Sequence, residues 1–95
     1  MKTVNKRLLK GKIATFIISE LYTLGSLKKN TIKRRYSDYE KKGMRVDKNN
    51  RVITTLRRMK ESGLIEMRID EFKKEVYSLS ERVIKIDGKF YEERR

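Results

Sequence analysis

From Lys48 to Lys60 the chain reads Lys-Asn-Asn-Arg-Val-Ile-Thr-Thr-Leu-Arg-Arg-Met-Lys, with no carboxylate in the run. Plotted at 100° per residue, Val52, Leu56 and Met59 share one helical face at i, i+4 and i+7 and point to a core. The opposite face carries Asn50, Thr54, Arg57 and Arg58, with Asn49 and Arg51 near the N-terminal end. These side chains suit polynucleotide edges and phosphates. Arg pairs two donors with the acceptors of guanine, Asn pairs its amide with adenine, and Thr offers a methyl to thymine or a hydroxyl to phosphate. A face that only keeps a helix in water usually mixes Glu with Lys, and this one does not. Asn49, Asn50, Thr54 and Arg57 are therefore the expected base-reading residues, and Arg51 and Arg58 are expected to bind phosphates.

Composition narrows the chemistry further. The 95 residues contain no Cys and no His, which excludes disulfide scaffolds, Cys/His zinc sites, Cys nucleophiles and dyads with an imidazole base. Neither an enzyme nor a cofactor is expected. Against 13 acidic residues stand 26 Lys and Arg, a formal net charge of +13. Residues 1–60 hold 18 basic and 4 acidic residues, net +14, whereas residues 61–95 hold 8 and 9, net −1. Self-repulsion on that scale disfavours a compact state unless a polyanion relieves it, so nucleic acid is the leading partner. The longest mainly apolar stretch, Ile13 to Ile18, is far short of the roughly 20 residues of a membrane span. Lys10 and Lys12 also interrupt what would have to be the apolar region of a signal peptide. No membrane association is expected, and the location is read as cytoplasmic.

The elements that would position the basic face follow from periodicity and punctuation. Leu9, Ile13, Phe16, Ile17, Leu21 and Leu24 fall at helical spacing and predict an amphipathic first helix over residues 6–24, stopped by Gly25. Thr31 to Lys42 predicts a second, strongly basic helix, with Thr31 as N-cap, Ile32, Tyr36 and Tyr39 on its apolar side and Gly43 closing it. Its Lys33 and Arg34 are expected to bind phosphates. Gly43-Met44-Arg45-Val46 then reads as a connector, and Asp47 as the N-cap of the third helix, which ends near Ser62 with Gly63 as terminator. Leu64–Ile69 and Glu75–Leu79 alternate apolar and polar residues around the charged link Asp70–Lys74 and predict a hairpin whose tip offers Lys73 and Lys74 to phosphates. In the last fifteen residues Ser80-Glu81-Arg82 could start a helix, but Asp87-Gly88 between alternating runs favours a second hairpin.

Helix, basic helix, helix ending in Gly, then a two-stranded hairpin is the order of a winged helix-turn-helix domain. The segment Val52-Ile53-Thr54-Thr55-Leu56-Arg57-Arg58-Met59-Lys60-Glu61-Ser62-Gly63-Leu64-Ile65-Glu66 resembles the recognition helix and its exit in small MarR-like and PadR-like regulators. Val76-Tyr77-Ser78-Leu79-Ser80-Glu81 is similar to their second wing strand, and with the upstream helices the resemblance covers about residues 13–81. In size the chain is similar to minimal winged-helix proteins of archaea and their viruses. The resemblance implies an α+β fold of three helices followed by a wing, in one domain over residues 1–95. It also implies a sequence-specific double-stranded DNA-binding protein acting as a transcriptional regulator, with residues 48–62 in the major groove and the wing, about 65–79, on flanking phosphates. A homodimer is the favoured assembly, with the oligomeric state left open. Two alternatives stand beside this reading. A nonspecific nucleic-acid-coating protein would need only the charge, and a small ribonuclease toxin like the RelE family would cut RNA with Arg, Lys and Tyr.

Overall fold

In the computed structural model, residues 5–40 and 48–94 are described. They form an α+β structure of three helices and two small antiparallel sheets. In chain order the elements are β1 (Asn5–Leu8), α1 (Lys12–Leu24), β2 (Ser26–Lys28), α2 (Lys29–Glu40), α3 (Lys48–Glu61), β3 (Ile65–Ile69), β4 (Glu75–Leu79), β5 (Val83–Ile86) and β6 (Lys89–Arg94). Among the described residues no helix is long and apolar enough to cross a membrane.

The first helix is shorter than its apolar spacing predicts. Gly11 has φ 106°, outside the helical region, so the helix starts at Lys12 and not at residue 6. Residues 5–8 instead pair with β6, Leu8 opposite Tyr91, and the Leu9 N–H donates to the Phe90 carbonyl at 3.0 Å. Leu9 is buried as expected, but from a link between strand and helix. Gly25, at φ 92°, ends α1 and donates its N–H to the Leu21 carbonyl.

Strands are thus interleaved with the helices and do not only follow them. β2 lies between α1 and α2 and pairs with β4, giving the sheet order β2-β4-β3. Because β2 runs directly into α2, that helix begins at Lys29, and Thr31 sits inside its first turn and not at its cap. The connector Gly43-Met44-Arg45-Val46 and the Asp47 cap lie outside the described residues.

The exit from α3 closes with the geometry its Gly63-Leu64 pair suggests. Gly63, at φ 84°, donates its N–H to Lys60 O at 3.1 Å, and Leu64 donates to Met59 O at 2.9 Å. Two orphan carbonyls are satisfied while Leu64 and Met59 both join the core. Register then decides which β4 residues face inward: Tyr77 stands between Met67 of β3 and Leu27 of β2, so it is Tyr77 that shares a face with Leu79. Ile17, Ile18, Leu21, Ile32, Val52, Leu56 and Ile65 are the most deeply buried side chains, where α1, α2 and α3 meet this sheet. Burying each contributes roughly 1.5–3 kcal/mol.

The second sheet has the order β1-β6-β5. Asp87 (φ 50°) and Gly88 (φ 80°) turn β5 into β6, and positive φ at both central residues is the requirement of a tight two-residue hairpin turn. Tyr22 of α1 meets Phe90 of β6 edge-on at 5.4 Å, and Lys85 Nζ lies over both rings. Glu92, also on β6, is buried, and its carboxylate accepts from Arg7 Nη2 at 2.7 Å and Arg82 Nη2 at 2.8 Å. The Tyr22–Phe90 ring contact joins this sheet to α1, whereas the Glu92 ion pairs hold β6 to β1 and to the β4–β5 link.

Candidate nucleic-acid interface

Val52, Leu56 and Met59 of α3 are buried against the core, and Ile53 and Thr55 beside them are half-buried. Arg51, Thr54, Arg57, Arg58 and Lys60 are all exposed. None of the four cations forms an ion pair among the described residues, whereas Arg7, Lys12, Lys28, Lys29, Arg35 and Arg82 each do. Asn49 and Asn50 fall on the first turn of α3, and their side chains lie outside those described.

The helix separates these groups onto two flanks. Arg51, Thr54 and Arg58 line an open groove of about 1050 Å³ that α3 shares with the β1–α1 link and the end of α2. Arg57, with Lys60 and Ile53, lines a smaller groove of about 240 Å³ closed by Lys29, Met67, Glu75 and Tyr77. Arg57 and Arg58 are adjacent in sequence but 100° apart on the helix, and this is why they part. Thr54 lies between the two directions.

Lys73 and Lys74 lie at the tip of the β3–β4 hairpin and are exposed. With Lys28, Lys29, Asn30, Thr31 and one carboxylate, Glu75, they line a cleft of about 300 Å³ at the N-terminus of α2. Positive side chains and a helix N-terminus point there together, an environment suited to phosphate oxygens. Asp70 sets the shape of the tip: its carboxylate accepts the N–H groups of Phe72 and Lys74, each at 2.8 Å. The Lys74 bond chiefly, then that of Phe72 and the charges of Lys28 and Arg68, hold the Asp70 carboxyl below the usual range. Lys73 adopts φ 61° within this turn.

Of the two candidates on α2, Lys33 is half-buried and follows Lys29 by one turn. Arg34 is exposed and lies one turn beyond Asn30 of the cleft. The candidates do not form a single cluster. They are spread along a strip that runs from the hairpin tip past the start of α2 to α3.

Three kinds of residue in the strip and the large groove beside it escape a reading of the sequence. Lys28 and Lys29 belong to it because β2 brings the start of α2 against the hairpin, where they approach Asp70 and Glu75 at 4.0 and 3.9 Å. Their adjacency just after Gly25-Ser26 was the available signal. Phe72 is 68% exposed at the hairpin tip, an aromatic ring set among charges in Asp70–Lys74. Arg7, Lys10 and Lys12 line the large groove opposite α3, though nothing in their spacing relates them to residues 51–58.

Behind the strip, two tyrosines anchor it. Burial, and hydrogen bonding to Glu75 at 2.7 Å, push the Tyr77 hydroxyl up to about 12. Burial chiefly, and then Glu40, raise Tyr36 in the same sense, its hydroxyl donating to Glu40 at 3.0 Å. Glu40 also holds Lys12 at 2.7 Å and raises its pKa. Comparisons of the chain with protein-family models, with curated proteins and with solved structures find no match.

Proposed function

We propose that this chain is a winged-helix protein that binds double-stranded DNA with sequence preference, as a transcriptional regulator does. The observation that carries the reading is the outer face of α3. Four exposed cations, Arg51, Arg57, Arg58 and Lys60, have no ion-pair partner among the described residues, where six other cations are paired. Leaving them unpaired has an electrostatic penalty that a polyanion would relieve. The winged-helix part of the reading is supported by α3 standing between α2 and a hairpin that follows it directly through Gly63-Leu64.

In this reading α3 enters the major groove. Thr54 and Arg57, with Asn49 and Asn50 on the first turn, read base edges. Arg51, Arg58, Lys33 and Arg34 hold phosphates beside it, and Lys73 and Lys74 hold those reached by the β3–β4 wing. Two half-sites about one helical turn apart would be read by a homodimer.

The test is fluorescence-anisotropy binding to the duplex upstream of the chain's own coding sequence, to a scrambled duplex of equal length, and to single-stranded RNA, across a salt series. A preference of roughly 10³ or more for the upstream duplex at physiological salt, with a steep log–log salt slope, is expected. Equal binding to both duplexes would leave a nonspecific coating protein in its place. Preference for the RNA would overturn the DNA reading.

A further inference from the structure

The basic side chains around α3 continue past the candidates named above. Arg7 of β1, Lys10 of the β1–α1 link and Lys12 at the start of α1 line the large groove together with Arg51 and Arg58 of α3. Among the described residues that line it, Glu40 is the one carboxylate beside these five cations. Two of the five are already fixed: Arg7 by Glu92 and Lys12 by Glu40, each at 2.7 Å. Lys10, Arg51 and Arg58 have no such partner among the described residues and are exposed.

The shape of the groove selects its occupant. Its α3 wall runs from Arg51 to Met59, a rise of about 12 Å along the helix, and it is open to solvent on that length. A compact ligand wants an enclosing apolar pocket, whereas an elongated trough with cations on both walls fits an extended polyanion. We infer, resting on the DNA reading above, that this groove seats the sugar-phosphate backbone flanking α3 on the side away from the β3–β4 hairpin, with Lys10 as a phosphate ligand.

The attached sheet thereby acquires a purpose. β1 is held in place by four residue pairs with β6, and the Arg7–Glu92 pair ties its side chain to the same strand. Arg82, the second partner of Glu92, also reaches the Ser62 carbonyl at the end of α3, at 3.4 Å. Both walls of the groove are therefore referred to one buried carboxylate, and their separation is set by the fold. DNA is gripped on both flanks of α3, by the hairpin on one and by the β1–α1 link on the other.

The experiment compares the wild-type protein with Lys10→Ala, Lys10→Glu and Arg57→Ala on the bound duplex, by anisotropy over a salt series and by hydroxyl-radical footprinting. Lys10 is a surface side chain, and melting curves matching the wild type's verify that each variant is folded. For Lys10→Ala we expect about tenfold weaker binding, alike on matched and scrambled duplexes, and a salt slope shallower by about 0.9. Lys10→Glu is expected to lose backbone protection on one flank only. Unchanged slope and protection in both Lys10 variants, with duplex binding intact and sensitive to Arg57→Ala, would overturn the groove assignment alone. If the wild-type protein binds no duplex, the DNA reading and this one fall together, and the wild-type arm shows it.

Discussion

Arg57 and Arg58 follow one another in the chain but face different grooves, so they should differ in what their loss does. Arg57 stands in the narrow groove with Lys29 and Glu75. In the proposed complex it reads a base, and Arg57→Ala should cost about 1–3 kcal/mol on the preferred site and relax the preference at one position. Arg58, in the wide groove, should weaken all sequences alike. Competition binding with single-base variants of the site separates the two, and equal losses for Arg57→Ala on matched and random DNA would remove it from base reading. Gly63 offers a stability test at the same scale. Its φ of 84° is strained for any L side chain, and a Cβ there would stand 2.5 Å from Arg82 Nη1. Gly63→Ala should therefore destabilise the fold by about 1–2 kcal/mol, seen as a lower denaturation midpoint at unchanged m-value. Such residues were legible from type and neighbourhood: Gly63 from its place after a helical stripe, Arg57 and Arg58 from a run without carboxylates. The partners that give them a context, Arg82 and Lys29, were not, because tertiary contact alone brings them near.

At the level of elements, the β3–β4 hairpin combines a turn held by one carboxylate with a strand anchored by one phenol. Asp70 has its folded pKa below the ordinary 3.8 because the backbone N–H groups of Lys74 and Phe72 donate to the ionised form. Its contribution is present above the unfolded value and is lost as the pH falls through the folded one. Protection of the Phe72 and Lys74 amides, measured against their intrinsic exchange rates, should therefore fall as the pH drops through the folded Asp70 value. Asp70→Asn should abolish that pH dependence. Tyr77 works at the other end of the scale. Its folded pKa of about 12 exceeds the ordinary 10.0, so its contribution is complete below the unfolded value and disappears as the pH rises through the folded one. Absorbance titration should find Tyr77 among the last tyrosines to ionise, and Tyr77→Phe should flatten the loss of stability between those two values. The hairpin itself was legible as two alternating runs around a charged link. β1 and β2 were not, for a physical reason: strands of four and three residues hold too little pattern, and their existence depends on partners at residues 91–94 and 76–78. Leu9 compounded the error, since it lies one helical turn before Ile13 while Gly11 breaks the helix between them.

Across the whole molecule, the charge has an internal logic that the split at residue 60 only hints at. Carboxylates of the later strands and of the β3–β4 turn reach back to cations of the earlier elements: Glu92 to Arg7, Asp70 to Lys28 and Glu75 to Lys29. The fold thereby neutralises part of the early excess and leaves Arg51, Arg57, Arg58 and Lys60 of α3 without an ion pair among the described residues. Exposed like charges repel over a distance set by salt, about 30 Å at 0.01 M and 8 Å at 0.15 M. The free protein should therefore melt at a lower temperature in dilute buffer and gain stability as salt is added. Duplex DNA should act in the opposite sense with salt. At about 100 times its dissociation constant it should add about 2.7 kcal/mol. For a domain of this size that is a rise in Tm of more than about 10 °C. The gain should shrink as salt screens the same charges. Calorimetry over a grid of salt and duplex concentrations reads both effects in one experiment. A DNA-induced shift that survives unchanged from 0.01 M to 1 M salt would mean that phosphate contacts are not what holds the complex, because release of counterions makes every such contact weaken with salt.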